Sequence, residues 1–210
     1  MQSEAEVFQG HDGLQVLYGT SRNNLASLIP KDCMGLISAG TVGGLLPSLG
    51  RGDLVLGNVV VVADGTKFLT DGIWLSTVAA KVAHMDHHFS RIYSDTNTIT
   101  QTPVQRTALA QLHDVAVDDE ESWAVARTAR ALGLPFIVVR AVSDQWDQTL
   151  LPDDSKAVNP DGTVNVGPLI PDFFENPVEA LLEAEGLQQA LNTLRTAFSL
   201  LGPTFSFPGK

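Results

Sequence analysis

The sequence is short of cysteine, of positive charge and of long apolar runs, and each shortage excludes something. A single cysteine, Cys33 in an apolar run, can form no internal disulfide and no cysteine zinc cluster. The 13 Lys and Arg residues stand against 24 Asp and Glu, giving a formal charge of −11, and they are spread along the chain. No stripe is present to neutralise a phosphate backbone, so nucleic acid is not an expected partner. No apolar run reaches the ~20 residues of a membrane span, and the opening MQSEAEVFQG is too polar for a signal peptide. These features predict a cytoplasmic protein. What is present, 210 residues of which 44% are hydrophobic, suits one domain over 1–210 with a sizeable core. Neither an internal repeat nor a linker divides it.

Apolar runs bounded by turn residues predict strands at 14–18, 33–39, 54–63, 114–117 and 135–142. Helical periodicity falls near 72–84, 103–112 and 120–133, with two more helices between Pro177 and Leu200. In the third stretch Trp123, Ala126, Ala129 and Leu132 make one apolar face, and Gly133 ends it. Trp74, Trp123 and Phe136 read as core residues. Strands alternating with helices predict an α/β three-layer sandwich with a twisted mixed, largely parallel sheet covered on both sides. The opening SEAEVF reads as a helix with no strand before it. Either a first strand is missing from this chain or the sheet starts elsewhere.

Ligand groups in such sheets gather at the carboxyl ends of strands, and three segments qualify. Ser38 to Leu45, SAGTVGGL, follows a strand and carries Gly40, Gly43 and Gly44, which let backbone approach a ligand, with the Thr41 hydroxyl beside them. A tight strand-to-helix turn also accounts for these glycines. Asp118 to Ser122, DDEES, closes a short strand and opens a helix, where acidic residues suit the helix dipole. Glu121 there can accept two hydrogen bonds from a cis diol. Arg140 to Asp144, RAVSD, ends a core strand in two polar residues, and a carboxyl at such a rim either caps a turn or donates a proton.

Other constellations are missing. The chain has no GxGxxG, GK[ST], GxSxG or HExxH sequence. His84, His87 and His88 follow a helical stretch without a carboxylate and cysteine framework, so they read as a solvated helix end and no metal site is predicted.

Taken together, AGTVGGL, GDLVL at 52–56, VAVDDEES and LGLPFIVVRAVSD resemble, in order and spacing, the purine nucleoside phosphorylase and 5′-methylthioadenosine/S-adenosylhomocysteine nucleosidase superfamily. The short chain and the late NPDGTVNVGPLI segment are most similar to its hopanoid-associated phosphorylase-like branch. The resemblance implies cleavage of the N-glycosidic bond of a purine nucleoside or 5′-substituted adenosine by a cytoplasmic homodimer or higher homo-oligomer, without cofactor or metal. It implies Asp144 as catalytic acid toward purine N7, oriented by Ser143, and Glu121 as the ribose-binding glutamate. The family methionine beside it is replaced by Glu120, an extra charge next to the sugar. Glu4, in QSEAEV, corresponds to the water-activating glutamate, but without a preceding strand to hold it. Gly40, Thr41 and Ile99 complete the implied substrate contacts. Phosphate is the alternative nucleophile and a possible co-substrate, with Arg22 as its holder and Arg51 as the other nearby cation. A non-catalytic nucleoside-binding or structural homologue is the competing reading.

Overall fold

The computed structural model describes residues 2–8, 13–18, 24–98, 100–151 and 174–208. Helices α1 (Gln2–Phe8) and α2 (Leu25–Leu28) precede strands β1 (Leu36–Gly44), β2 (Leu54–Val62) and β3 (Lys67–Leu69). Helix α3 (Gly72–Lys81), β4 (His87–Ser94), α4 (Pro103–His113), β5 (Val117–Asp119), α5 (Ser122–Leu132), β6 (Phe136–Asp144) and a long helix α6 (Pro177–Leu201) follow.

Local chemistry explains the helix limits. The Asp71 carboxylate accepts from the Trp74 amide at 2.8 Å to start α3. Thr102 and Gln105 form a capping box ahead of Pro103 in α4. Gly133, at φ +67°, ends α5 in the left-handed conformation that glycine adopts without strain.

The sheet runs in the order β3-β2-β4-β5-β1-β6, and an additional pairing between β2 and β6 curls it back on itself. It is mixed: β1–β6, β2–β4 and β4–β5 are parallel, whereas β1–β5, β2–β3 and β2–β6 are antiparallel. Strand β6 is buried on both faces. Ile137, Val139 and Ala141 join a cluster with Trp74 of α3 and Leu194 and Phe198 of α6. Phe136, Val138 and Val142 join another with Ala126 and Ala129 of α5. This two-sided packing is why the strand reads as an unbroken apolar run. Gly186 lets α6 pass directly against the Ser143 carbonyl at the end of β6. Among the described residues no helix is long and apolar enough to cross a membrane.

Several sequence expectations are corrected. Residues 14–18 form no strand; Leu14 and Val16 pack on the core as irregular chain. The glycines at 40–44 are not a turn after a strand, because β1 continues through them with a bulge between Val42 and Gly43. The strand placed at 114–117 lies at Val117–Asp119, so the acidic pair Asp118 and Asp119 is itself in the sheet. The histidines are not a helix end: His87 and His88 open β4, a strand hidden by its polar residues. The carboxyl-terminal stretch is one helix instead of two. At the opposite end, α1 forms as expected, and among the described residues the first strand of the sheet is β1.

Candidate active site

Two glycines of β1 organise the site. Gly40 pairs with Arg140 of β6, while Gly43 pairs with Asp118 of β5 on one side and Asp144 of β6 on the other. A side chain at either position has no room. A Cβ on Gly40 would lie 2.5 Å from Arg140 Nη1 and 2.7 Å from Glu4 Oε1; one on Gly43 would lie 2.6 Å from Asp118 Oδ1 and 3.1 Å from Asp144 Oδ2. Charged groups from separate elements therefore converge in the space these glycines leave.

The first cluster surrounds Arg140, whose side chain is buried. Its Nη2 donates to Ser38 Oγ at 2.9 Å and Ser122 Oγ at 3.2 Å, and pairs with Asp119 Oδ2 at 2.9 Å. Its Nη1 donates to the Thr41 carbonyl at 3.4 Å and faces Glu121 Oε2 at 3.6 Å. Burial pulls the Arg140 pKa down, but Asp119, Glu121 and Glu4 outweigh it and hold the value above the ordinary arginine range. Asp119 also accepts from the amides of Glu121 and Ser122, thereby capping α5. Glu121 thus starts α5 with its side chain 45% exposed.

Glu4 comes from α1 to the same place. The Thr41 amide donates to Glu4 Oε1 at 2.7 Å and the Thr41 hydroxyl at 3.0 Å. The expectation that Glu4 lacks an anchor is corrected by these two bonds: β1 holds it.

The second cluster surrounds Asp144. Ser143 Oγ donates to Asp144 Oδ1 at 2.7 Å, and the fully buried Arg106 of α4 forms an ion pair with Oδ2. Arg106 also donates to the carbonyls of Thr100 at 2.8 Å, Gly44 at 3.0 Å and Gln145 at 3.3 Å. Asp118 accepts from Thr100 Oγ1 at 2.6 Å through Oδ2, while its buried Oδ1 has no hydrogen-bond partner among the described residues. Burial pushes the Asp118 carboxyl up to about 7; the Thr100 bond opposes this, the Asp144 charge adds to it, Arg106 opposes it and Asp119 adds to it. A cavity of about 140 Å³ opens here, lined by Gly43, Tyr93, Asp118, Asp119, Glu120 and Asp144 among others. Because Asp119 both lines this cavity and binds Arg140, the two clusters are contiguous.

Glu4, Gly40, Thr41 and Glu121 therefore gather around Arg140, whereas Asp144, bonded by Ser143, reaches over Gly43 and Glu120 stands exposed at the cavity rim. Arg22 and Ile99 lie outside the described residues. Arg51 binds Gln148 Oε1 at 2.8 Å. His88 faces Asp53 at 3.3 Å, and no group of residues suited to hold a metal occurs among the described residues. Sequence reasoning overlooked the structural parts of Arg140, Arg106, Asp118 and Asp119. Arg140 had a signal: a charge inside FIVVRAV must be paired if that strand is buried. Arg106 had none, since an arginine on an amphipathic helix ordinarily faces solvent.

The family model described as the phosphorylase superfamily matches residues 19–167. No curated protein matches the chain significantly. Among solved structures, the chain is similar to the 5′-methylthioadenosine/S-adenosylhomocysteine nucleosidase of Neisseria meningitidis in complex with methylthio-immucillin-A, with a TM-score of 0.71 and 17% identity over 99% of this chain and 96% of that one. The corresponding nucleosidase of Helicobacter pylori gives a TM-score of 0.69 and 15% identity over 95% and 93%. The futalosine hydrolase of Helicobacter pylori gives 0.64 and 15% over 95% and 94%. At these identities the likeness is one of fold: a single α/β unit with a mixed sheet.

Proposed function

This chain belongs to the phosphorylase superfamily, and we propose that it cleaves the N-glycosidic bond of a purine nucleoside or 5′-substituted adenosine and releases the free base. The observation that carries the reading is the gathering, along the paired strands β1 and β6, of three carboxyls from different elements: Glu4 bonded to Thr41, Glu121 facing Arg140 and Asp144 beside Gly43. Breaking the bond leaves positive charge on the ribose and negative charge on the base, so a proton donor and an anionic sugar site are the groups required. Asp144, protonated, donates to N7, and the base leaves neutral. Glu121, exposed at the start of α5 and backed by Arg140, accepts from the ribose hydroxyls. Glu4, held at Thr41, orients a water; the hydroxyl joins the sugar carbon and the remaining proton passes to the carboxylate.

Water is favoured over phosphate as the nucleophile because the arginines beside the site are already committed. Arg140 is paired with Asp119, and Arg106 directs its donors to the Thr100, Gly44 and Gln145 carbonyls as well as to Asp144, which leaves neither arginine turned to an incoming anion. The deciding experiment incubates adenosine, inosine, methylthioadenosine and adenosylhomocysteine with the protein, with and without phosphate, and measures free base. Release without phosphate is expected. Retention of nucleoside without release would replace this reading by that of a binding homologue, and release only with phosphate would make the enzyme a phosphorylase. A homodimer or higher oligomer is part of the same proposal, read by light scattering.

A further inference from the structure

Asp118 is a buried carboxyl of the site that the proposed chemistry leaves unused. It flanks Gly43 opposite Asp144, and the register of β1 with β5 and β6 puts both carboxyls over the same side-chain-free position. The point where a Gly43 side chain would begin is 2.6 Å from Asp118 Oδ1, 3.1 Å from Asp144 Oδ2 and 3.4 Å from Arg106 Nη1. Neither of those carboxyl oxygens has a hydrogen-bond partner among the described residues, although Asp144 Oδ2 has its ion pair with Arg106. Two carboxylates facing one guanidinium cannot both be neutralised by it, and a shared proton resolves the surplus charge.

We infer that Asp118 is a positioning residue that forms with Asp144 a carboxyl pair holding one shared proton above Gly43, and that Asp118 reloads Asp144 after each base departs. This rests on the nucleoside-cleaving role proposed for the site. When the bond between sugar and base breaks, its electrons go to the base, and Asp144 transfers its proton to N7. The pair is then doubly ionised; Asp118 takes up one proton from water in the adjoining cavity and passes it to Asp144, which restores the single shared proton. The proton released by the attacking water leaves through Glu4, so the overall reaction consumes one water and no net proton. The groups facing Asp118 are Arg106 from α4, Asp144 from β6, Thr100 from the loop before α4 and Asp119 on its own strand; Tyr93 is its register partner on β4 and Glu120 lines the cavity rim. The upward displacement of the Asp118 carboxyl to about 7 fits a proton held there near neutrality.

Asp118→Asn tests this, because an amide keeps the shape and the Thr100 bond yet has no proton to pass. Base release should fall about tenfold or more in kcat, with KM within about twofold, and the decline of wild-type kcat above about pH 7 should vanish from the profile. Independently of turnover, carbon NMR of the carboxyl groups should show Asp118 titrating lower in Asp144→Asn, where the like charge is gone and Arg106 is released. If wild type cleaves nucleosides and Asp118→Asn keeps both its kcat and its pH profile, the relay is wrong while the function stands. Should wild type cleave none, the function fails, and the relay with it. In either case, an Asp118 titration that Asp144→Asn leaves unmoved overturns the shared proton.

Discussion

The two arginines buried among the described residues, Arg140 and Arg106, make opposite use of the same strand. Over Gly40, Arg140 meets Asp119 and Glu121 together with two serine hydroxyls, so a strongly acidic neighbourhood is neutralised and fixed. Over Gly43, Arg106 directs most of its donors to neutral carbonyls and has Asp144 as its charged partner, leaving Asp118 without an equivalent cation. The first arrangement holds charge still. The second leaves a carboxyl whose protonation is free to change near neutral pH. The neutralised cluster and the carboxyl raised toward neutrality are thus separated by three residues of one strand, with glycine at both places.

Breaking the chemical half should have the largest effect. Asp144→Asn is expected to reduce base release by about 10²- to 10⁴-fold while the far-UV circular dichroism stays native, since the amide hydrogen-bonds but does not transfer a proton. Breaking the scaffold half should appear in stability instead. Arg140→Met strands Asp119, whose side chain is 1% exposed, without its cation, and a denaturant melt should register a loss of about 3–5 kcal/mol.

The pH dependence sharpens the contrast. A carboxyl raised from 3.8 to about 7 by folding favours the native state at low pH, below its unfolded value, and that contribution is lost as pH rises through about 7. Asp118→Asn removes the dependence. Its melting temperature relative to wild type should therefore increase between pH 5 and pH 8, and a constant difference would show that Asp118 does not titrate there. The smallest effect belongs to Thr41→Val, which deletes the hydroxyl bond to Glu4 but keeps the amide bond; about 1 kcal/mol of stability is expected, read from the same melts.

How much of this was legible in the sequence follows from what each residue's meaning depends on. Strand β6 was visible because both its faces are buried, and Asp144 because it ends that strand. Glu121 was visible as the opening of a helix. Strand β4 was hidden because His87, His88, Ser90 and Arg91 break its apolar pattern, although Ile92 and Tyr93 are buried. The second cluster was illegible for a deeper reason. Asp118 and Arg106 acquire their roles only when β5, β1 and β6 come into register around Gly43, and no local periodicity encodes that register. The glycines themselves read equally as a close approach to a ligand or as a turn after a strand; Gly40 and Gly43 lie within β1 and leave room for side chains from neighbouring strands.

Gly186 carries a related consequence at a distance from any reacting atom. Helix α6 lies so close to the Ser143 carbonyl that even a methyl group at this position collides with the backbone of β6. Ser143 is bonded to Asp144, so displacing that backbone would re-aim the proposed acid. A residue with no chemistry of its own is thereby less free to vary than Glu120 at the open rim of the cavity, and a library of random substitutions would reveal it as one of the least tolerant sites in the chain.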